Sequence, residues 1–151
     1  MSDHVSNLTC HIGYRLRQLS NYVSHSFARK LASKGITVAE WALMRMLYNE
    51  KPTPSGMIAK SMGMTKGAIT KLADRLIDKK LVVRETDSMD GRVQILSLTF
   101  KASSIIPELA AIADQNDAEC FSHLSEQNRK FLQQILEDTV KQLGITSVAI
   151  N

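Results

Sequence analysis

The chain has 151 residues, 44% hydrophobic and 23% charged, which fits one globular domain with its own core and excludes disordered, collagen-like and disulfide-scaffold proteins. Seven Gly, three Pro and 5% aromatic residues favour helices over many short strands. The formal net charge of +4 divides into +3 over residues 1–50, +5 over 51–101 and −4 over 102–151, a bias that suits either a polyanion-facing middle segment or solvated helix faces.

Neither the roughly 18-residue apolar run of a membrane helix nor a leader-like start occurs, so a cytoplasmic protein without membrane contact is expected. Cys10 and Cys120 are far apart and suit a reducing compartment. From Leu8, the apolar residues Ile12, Leu16, Leu19, Val23, Phe27 and Leu31 recur every three or four positions, which predicts a long amphipathic helix ended by Gly35. Thr37 and Glu40 form a capping pair for a second helix, with Trp41, Leu43, Met44 and Leu47 on its buried side and an end near Asn49. Thr53 as cap and Pro54 as first helical residue predict a short third helix to Met62, in which Gly56 weakens the first turn.

Gly63 stops that helix and Thr65 caps the next almost at once, giving two helices joined by a tight turn. Ile69, Leu72, Ala73, Leu76 and Ile77 then occupy one stripe, leaving Lys66, Gly67, Thr70, Lys71, Asp74 and Arg75 elsewhere. Residues 81–85 and 93–98 read as two strands around a polar Asp-Gly turn. Thr99 caps a fifth helix carrying Ile105, Ile106, Leu109 and Ile112, and Ser125 opens a sixth carrying Phe131, Leu132, Ile135, Leu136, Val140 and Leu143.

This order is the plan of a winged helix-turn-helix with helical extensions at both ends. The run from Gly35-Ile36-Thr37 through Ile58-Ala59, residues 65–72, Asp74-Arg75-Leu76 and Leu81-Val82 to Asp90-Gly91-Arg92 and Leu98-Thr99 resembles the MarR family of bacterial transcription regulators, over roughly residues 8 to 143. The resemblance implies a mainly α (α+β) fold forming a single domain over 1–151. A DNA-binding region would span 37–100 with a two-stranded wing, and the long terminal helices over 8–34 and 101–145 would form a dimerisation region. Two departures stand out: Gly91 replaces a second wing arginine, and Ala102 stands where a glycine is common.

A helix laid in the major groove presents short polar and cationic side chains near its start, which selects Lys66, Gly67, Thr70 and Lys71, with Thr65 as cap and phosphate contact. Arg92 at the hairpin tip suits the narrow minor groove, where negative potential is focused; the resemblance implies the same role. Asp90 either braces Arg92 or only shapes the turn. Arg75 and Arg84 either meet phosphate or pair with Asp74, Asp78 or Glu85. The apolar faces of the terminal helices exceed what one winged helix covers, so a homodimer on a pseudo-palindromic operator of double-stranded DNA is expected, with half-sites about one helical turn apart.

The resemblance alone implies a repressor relieved by a small amphipathic or phenolic effector. His4, His11, His25 and His123 follow no metal spacing and no catalytic motif is present, so neither an enzyme nor a cofactor is expected. Two alternatives remain, a winged-helix protein-interaction module and redox or metal sensing through Cys10 beside His11. A partly buried, inert thiol is the simpler reading of Cys10, and core packing that of Met57, Met62 and Met64.

Overall fold

The computed structural model describes residues 5–146; His4 lies outside them. Among the described residues there are six α-helices and one small sheet, in the order α1 (Ile12–Ala32), α2 (Val38–Leu47), β1 (Thr53–Pro54), α3 (Ser55–Met62), α4 (Lys66–Asp78), β2 (Val82–Thr86), β3 (Gln94–Leu98), α5 (Phe100–Phe121) and α6 (Glu126–Gln142). Among the described residues no helix is long and apolar enough to cross a membrane.

Local chemistry sets most boundaries. Thr37 Oγ1 accepts the Glu40 amide at 3.1 Å while Glu40 reaches back to the Thr37 amide, closing the expected capping box. Thr65, Thr99 and Ser125 cap α4, α5 and α6 in the same way, each accepting the amide three residues on at 3.1 Å. Left-handed residues close the other ends: Gly35 and Gly63 (φ 72° and 63°) follow α1 and α3, and Lys80 (φ 61°) follows α4. In each case the next amide turns back to a carbonyl five residues earlier, as Leu81 does to Leu76 at 2.8 Å. Ala102 is buried in the first turn of α5 and leaves its cap intact.

Four expectations need correction. Leu8–Cys10 form a separate 3-10 turn, because His11 is extended (φ −85°, ψ 126°) and breaks the path into α1. Thr53 does not cap α3: its hydroxyl donates to the Lys51 carbonyl at 2.8 Å, and Pro54 precedes the helix instead of opening it. Both residues form β1, which pairs antiparallel with β3 (Thr53 with Leu96, Pro54 with Ile95), so the two-stranded wing is the outer part of a three-stranded sheet ordered β1-β3-β2. Met57 is 62% exposed, in contrast to Met62 in the core.

The core lies under the winged helix, where Leu43, Met44, Ile58, Ile69, Leu76, Leu96, Ile106 and Leu109 are nearly inaccessible. At roughly 1.5–3 kcal/mol for each large side chain removed from water, this cluster fixes the orientation of α4. The two ends of the chain behave differently. In α1, Ile12, Leu16 and Leu19 are exposed and burial begins only near Ser26, while α6 contains no buried residue at all.

Two polar links tie the elements together. Lys30 Nζ on α1 donates to Ser26 Oγ and to the buried Asn116 Oδ1 on α5, both at 2.9 Å, and pairs with Glu119 at 2.9 Å. That lysine, and Gln115 behind it, hold the Glu119 carboxyl below its usual range. Lys79, at the end of α4, pairs at 2.6 Å with Glu40 of α2, a carboxylate only 1% exposed.

Candidate nucleic-acid interface

The surface at issue begins at α4. Because Ile69, Leu72, Ala73 and Leu76 turn into the core, helical periodicity sends Lys66, Gly67, Thr70, Lys71, Asp74 and Arg75 outward, and all six are exposed. The first turn holds no acid, so Lys66 adds to the positive end of the helix dipole instead of offsetting it. For folding alone that placement is mildly unfavourable; an anion docked there reverses the sign. Thr70 Oγ1 donates to the Lys66 carbonyl at 3.0 Å, so toward a base edge it presents lone pairs and acts as an acceptor.

Gly67 is the informative glycine. A Cβ added there would meet nothing within 4 Å, yet glycine inside a helix costs roughly 1 kcal/mol relative to alanine. Packing within the chain gives no reason for it, whereas close approach of an outside surface does. Gly67→Ala is therefore expected to raise thermal stability by up to about 1 kcal/mol while weakening duplex binding. Melting curves and DNA titrations of one preparation check this; stability and affinity moving in the same direction would refute it.

The wing continues the surface. The β2 and β3 strands pair from Val82 with Leu98 to Thr86 with Gln94. Beyond them the Asp87 amide donates to the Val93 carbonyl at 2.9 Å and Val93 donates to the Asp90 carbonyl at 3.0 Å, which closes the tip. Asp90 Oδ1 accepts both the Arg92 amide at 3.0 Å and Arg92 Nε at 3.3 Å. The aspartate thus shapes the turn and braces the arginine together, and the Arg92 side chain is 93% exposed. The Arg92 amide first, and then its side chain, hold the Asp90 carboxyl below its usual range. Since the folded value is lowered, the brace is complete at neutral pH and is lost only as pH falls through that lowered value.

Arg84 and Arg75 part company. Arg84 Nη2 pairs with Asp74 at 2.7 Å and donates to the Thr70 carbonyl at 3.3 Å, which fastens β2 to the middle of α4. This is the surface pairing that its sequence position left open. Arg75 is exposed one turn beyond Lys71. Thr65, Lys66, Gly67, Thr70, Lys71 and Arg75 thus share one helix, and Asp90 and Arg92 share the neighbouring hairpin tip.

Away from this surface, Cys10 is exposed and not the partly buried thiol expected, because it lies in the separate turn before α1. Cys120 on α5 is half-buried. Among the described residues no three His, Cys, Asp or Glu side chains gather as a metal site. An open groove of about 910 Å³ between α1, α2 and α5 was not foreseen. Phe27 and Trp41 meet edge to face in its wall (centroids 6.4 Å apart, 80° between planes), and Asn116 and Arg45 supply polar groups. Its α5 wall comes from residues some 70 to 90 positions beyond those of α1 and α2; the one sequence signal was polar Asn116 among apolar neighbours on α5.

Residues 34–93 match the model of the MarR family. A probable transcriptional regulator from Pseudomonas aeruginosa is 26% identical, with a TM-score of 0.78 over 88% of this chain and 99% of its own. Two further structures share the fold. CouR from Rhodococcus jostii RHA1, solved bound to p-coumaroyl-CoA, is 18% identical, with a TM-score of 0.79 over 96% of this chain and 99% of that one. S. aureus MepR, solved in complex with DNA, is 22% identical, with a TM-score of 0.75 over 87% and 98%. The matched segment runs from just after α1 to just beyond Arg92, the part that presents α4 and the wing, so this region is similar to the MarR family within a fold shared with these regulators.

Proposed function

We propose that two copies of the chain bind a pseudo-palindromic duplex operator, with α4 in the major groove and Arg92 in the adjacent minor groove, and repress transcription until a small amphipathic or phenolic molecule releases them. The observation that carries the DNA contact is the acid-free, lysine-bearing start of α4 set beside a braced and almost fully exposed Arg92. Lys66 and the amides at the Thr65 cap meet phosphate, Thr70 and Lys71 face base edges, and Arg75 lies further along the same strand path. Arg84 acts by holding the wing against α4.

Pairing of two copies rests on the faces left open at the chain ends. Phe131, Ile135, Leu136 and Val140 on α6, Leu143 just past it, and Ile12, Leu16 and Leu19 on α1 are all at least 42% exposed. Gly13 lies within the α1 part of this set, and an added Cβ there would meet nothing within 4 Å, which leaves room for a second helix to approach. The region 37–100 then forms the DNA-binding part, and 8–34 with 101–145 the dimerisation part.

The groove between α1, α2 and α5 supports the effector reading. It has the size and the mostly apolar, aromatic lining of a small-molecule site, and it touches both the dimerisation helices and α2. A relative solved with p-coumaroyl-CoA favours an aromatic ligand.

The test begins with selection of bound sequences from random duplex DNA, followed by titration with salt. Affinity is expected to fall steeply, with a log–log slope near −0.9 for each phosphate neutralised. Binding that ignores salt would instead support a protein-docking module. Arg92→Ala is expected to weaken operator binding and reduce that slope by about 1 while leaving the dimer intact. Thr70 or Lys71 replacements are expected to change base preference; a uniform loss on all duplexes would make them phosphate contacts.

A further inference from the structure

Lys79 ends α4, and its partners lie on other elements. Its Nζ donates to the Gly35 carbonyl at 2.7 Å, just past α1, and to Glu40 Oε2 at 2.6 Å in the first turn of α2. Its own carbonyl accepts Lys101 Nζ at 3.3 Å from the start of α5, and the Lys80 carbonyl accepts Thr99 Oγ1 at 2.8 Å. Within two residues, then, the C-terminal end of α4 is fastened to α1, α2 and α5. The α1 and α5 helices are in turn joined by Lys30 to Asn116 and Glu119, and by the Lys34–Glu108 ion pair.

A carboxylate that is 1% exposed is a costly way to add stability, since an apolar side chain of similar volume would serve as well or better. What an ion pair with two defined acceptors adds is direction. The lever is long: α4 has 13 residues and so extends about 20 Å, and a tilt of about 5° at Lys79 would shift its first turn by about 2 Å. The end that would move carries Lys66, Gly67, Thr70 and Lys71.

We propose that Lys79, through Glu40 and Gly35, is a positioning residue that sets the direction of α4 against the α1/α5 frame, and so determines which spacing of half-sites the dimer accepts. This rests on the dimeric, DNA-binding reading above. It differs from a role for the side chains facing the bases, which would choose the sequence within each half-site.

The experiment compares the wild type with Lys79→Met, which keeps the aliphatic stem, Glu40→Gln and Lys79→Arg. Each is titrated against the selected operator and against versions with the half-sites one base pair closer or further apart. The wild type is expected to prefer its own spacing by about tenfold. Lys79→Met and Glu40→Gln should reduce that preference to about two- or threefold with unchanged base preference inside the half-site, and Lys79→Arg should restore it. Because Lys79 is partly exposed, the methionine variant is expected to fold even if the glutamine variant does not. Equal weakening on all three duplexes, an unchanged preference in folded variants, or a wild type indifferent to spacing would each overturn the inference alone. A wild type that binds no duplex, or that stays monomeric, would overturn the underlying reading with it.

Discussion

Leu136→Glu is expected to yield a folded monomer whose affinity for a two-half-site operator is at least about a hundredfold below wild type. Leu136 is 42% exposed in the single chain and α6 buries nothing, so a glutamate there costs the isolated subunit little. In a two-fold dimer the same change enters the interface twice, once from each copy, and places unpaired carboxylates among Phe131, Ile135 and Val140. Loss of the second half-site then turns an intramolecular second contact into an independent one. Sedimentation at several concentrations and binding to single and paired half-sites give the answer: an unchanged dimer would remove α6 from the interface, and a monomer with full affinity would remove the need for two copies.

The second large effect concerns the base of α4. Leu76 has no exposed surface and its carbonyl accepts the Leu81 amide at 2.8 Å, where the helix turns toward the sheet. Leu76→Ala is expected to destabilise the fold by about 2–5 kcal/mol, a sizeable part of the 5–15 kcal/mol typical of a domain. The melting temperature should fall by on the order of 10 °C. Since the proposed dimer would couple folding to association, the comparison must be made at one protein concentration. DNA binding should disappear over the same temperature range as the fold, whereas replacements of Thr70 or Lys71 should change binding at nearly constant melting temperature. A melt that does not move would show that Leu76 is not part of what fixes α4.

Elements with strong local signals were legible in the sequence. The stripe from Ile69 to Leu76 placed α4 and, by exclusion, its outward residues, and the Thr and Ser caps located four helix starts within a residue. Features that depend on distant partners were not. Thr53-Pro54 has the composition of a helix entry, and only pairing with Ile95 and Leu96, more than forty positions away, makes it a strand. Lys79 in a Lys-Lys pair reads as a solvated charge until the fold brings Glu40 to it. The groove shows the same limit, because apolar periodicity indicates that a face is covered but not where three covered faces leave a gap.

The short β1 strand has a mechanical consequence. It stitches the β3 edge to the residues immediately before α3, while Arg84 clamps β2 to α4 from the other side. The hairpin is thus secured at both flanks, and α4 and the Arg92 fingertip make a single rigid head. On the reading proposed above, any movement of the α1/α5 stem that releases DNA has to swivel that head as one piece, so both proposed contacts should lift together and leave no halfway state with only the fingertip withdrawn.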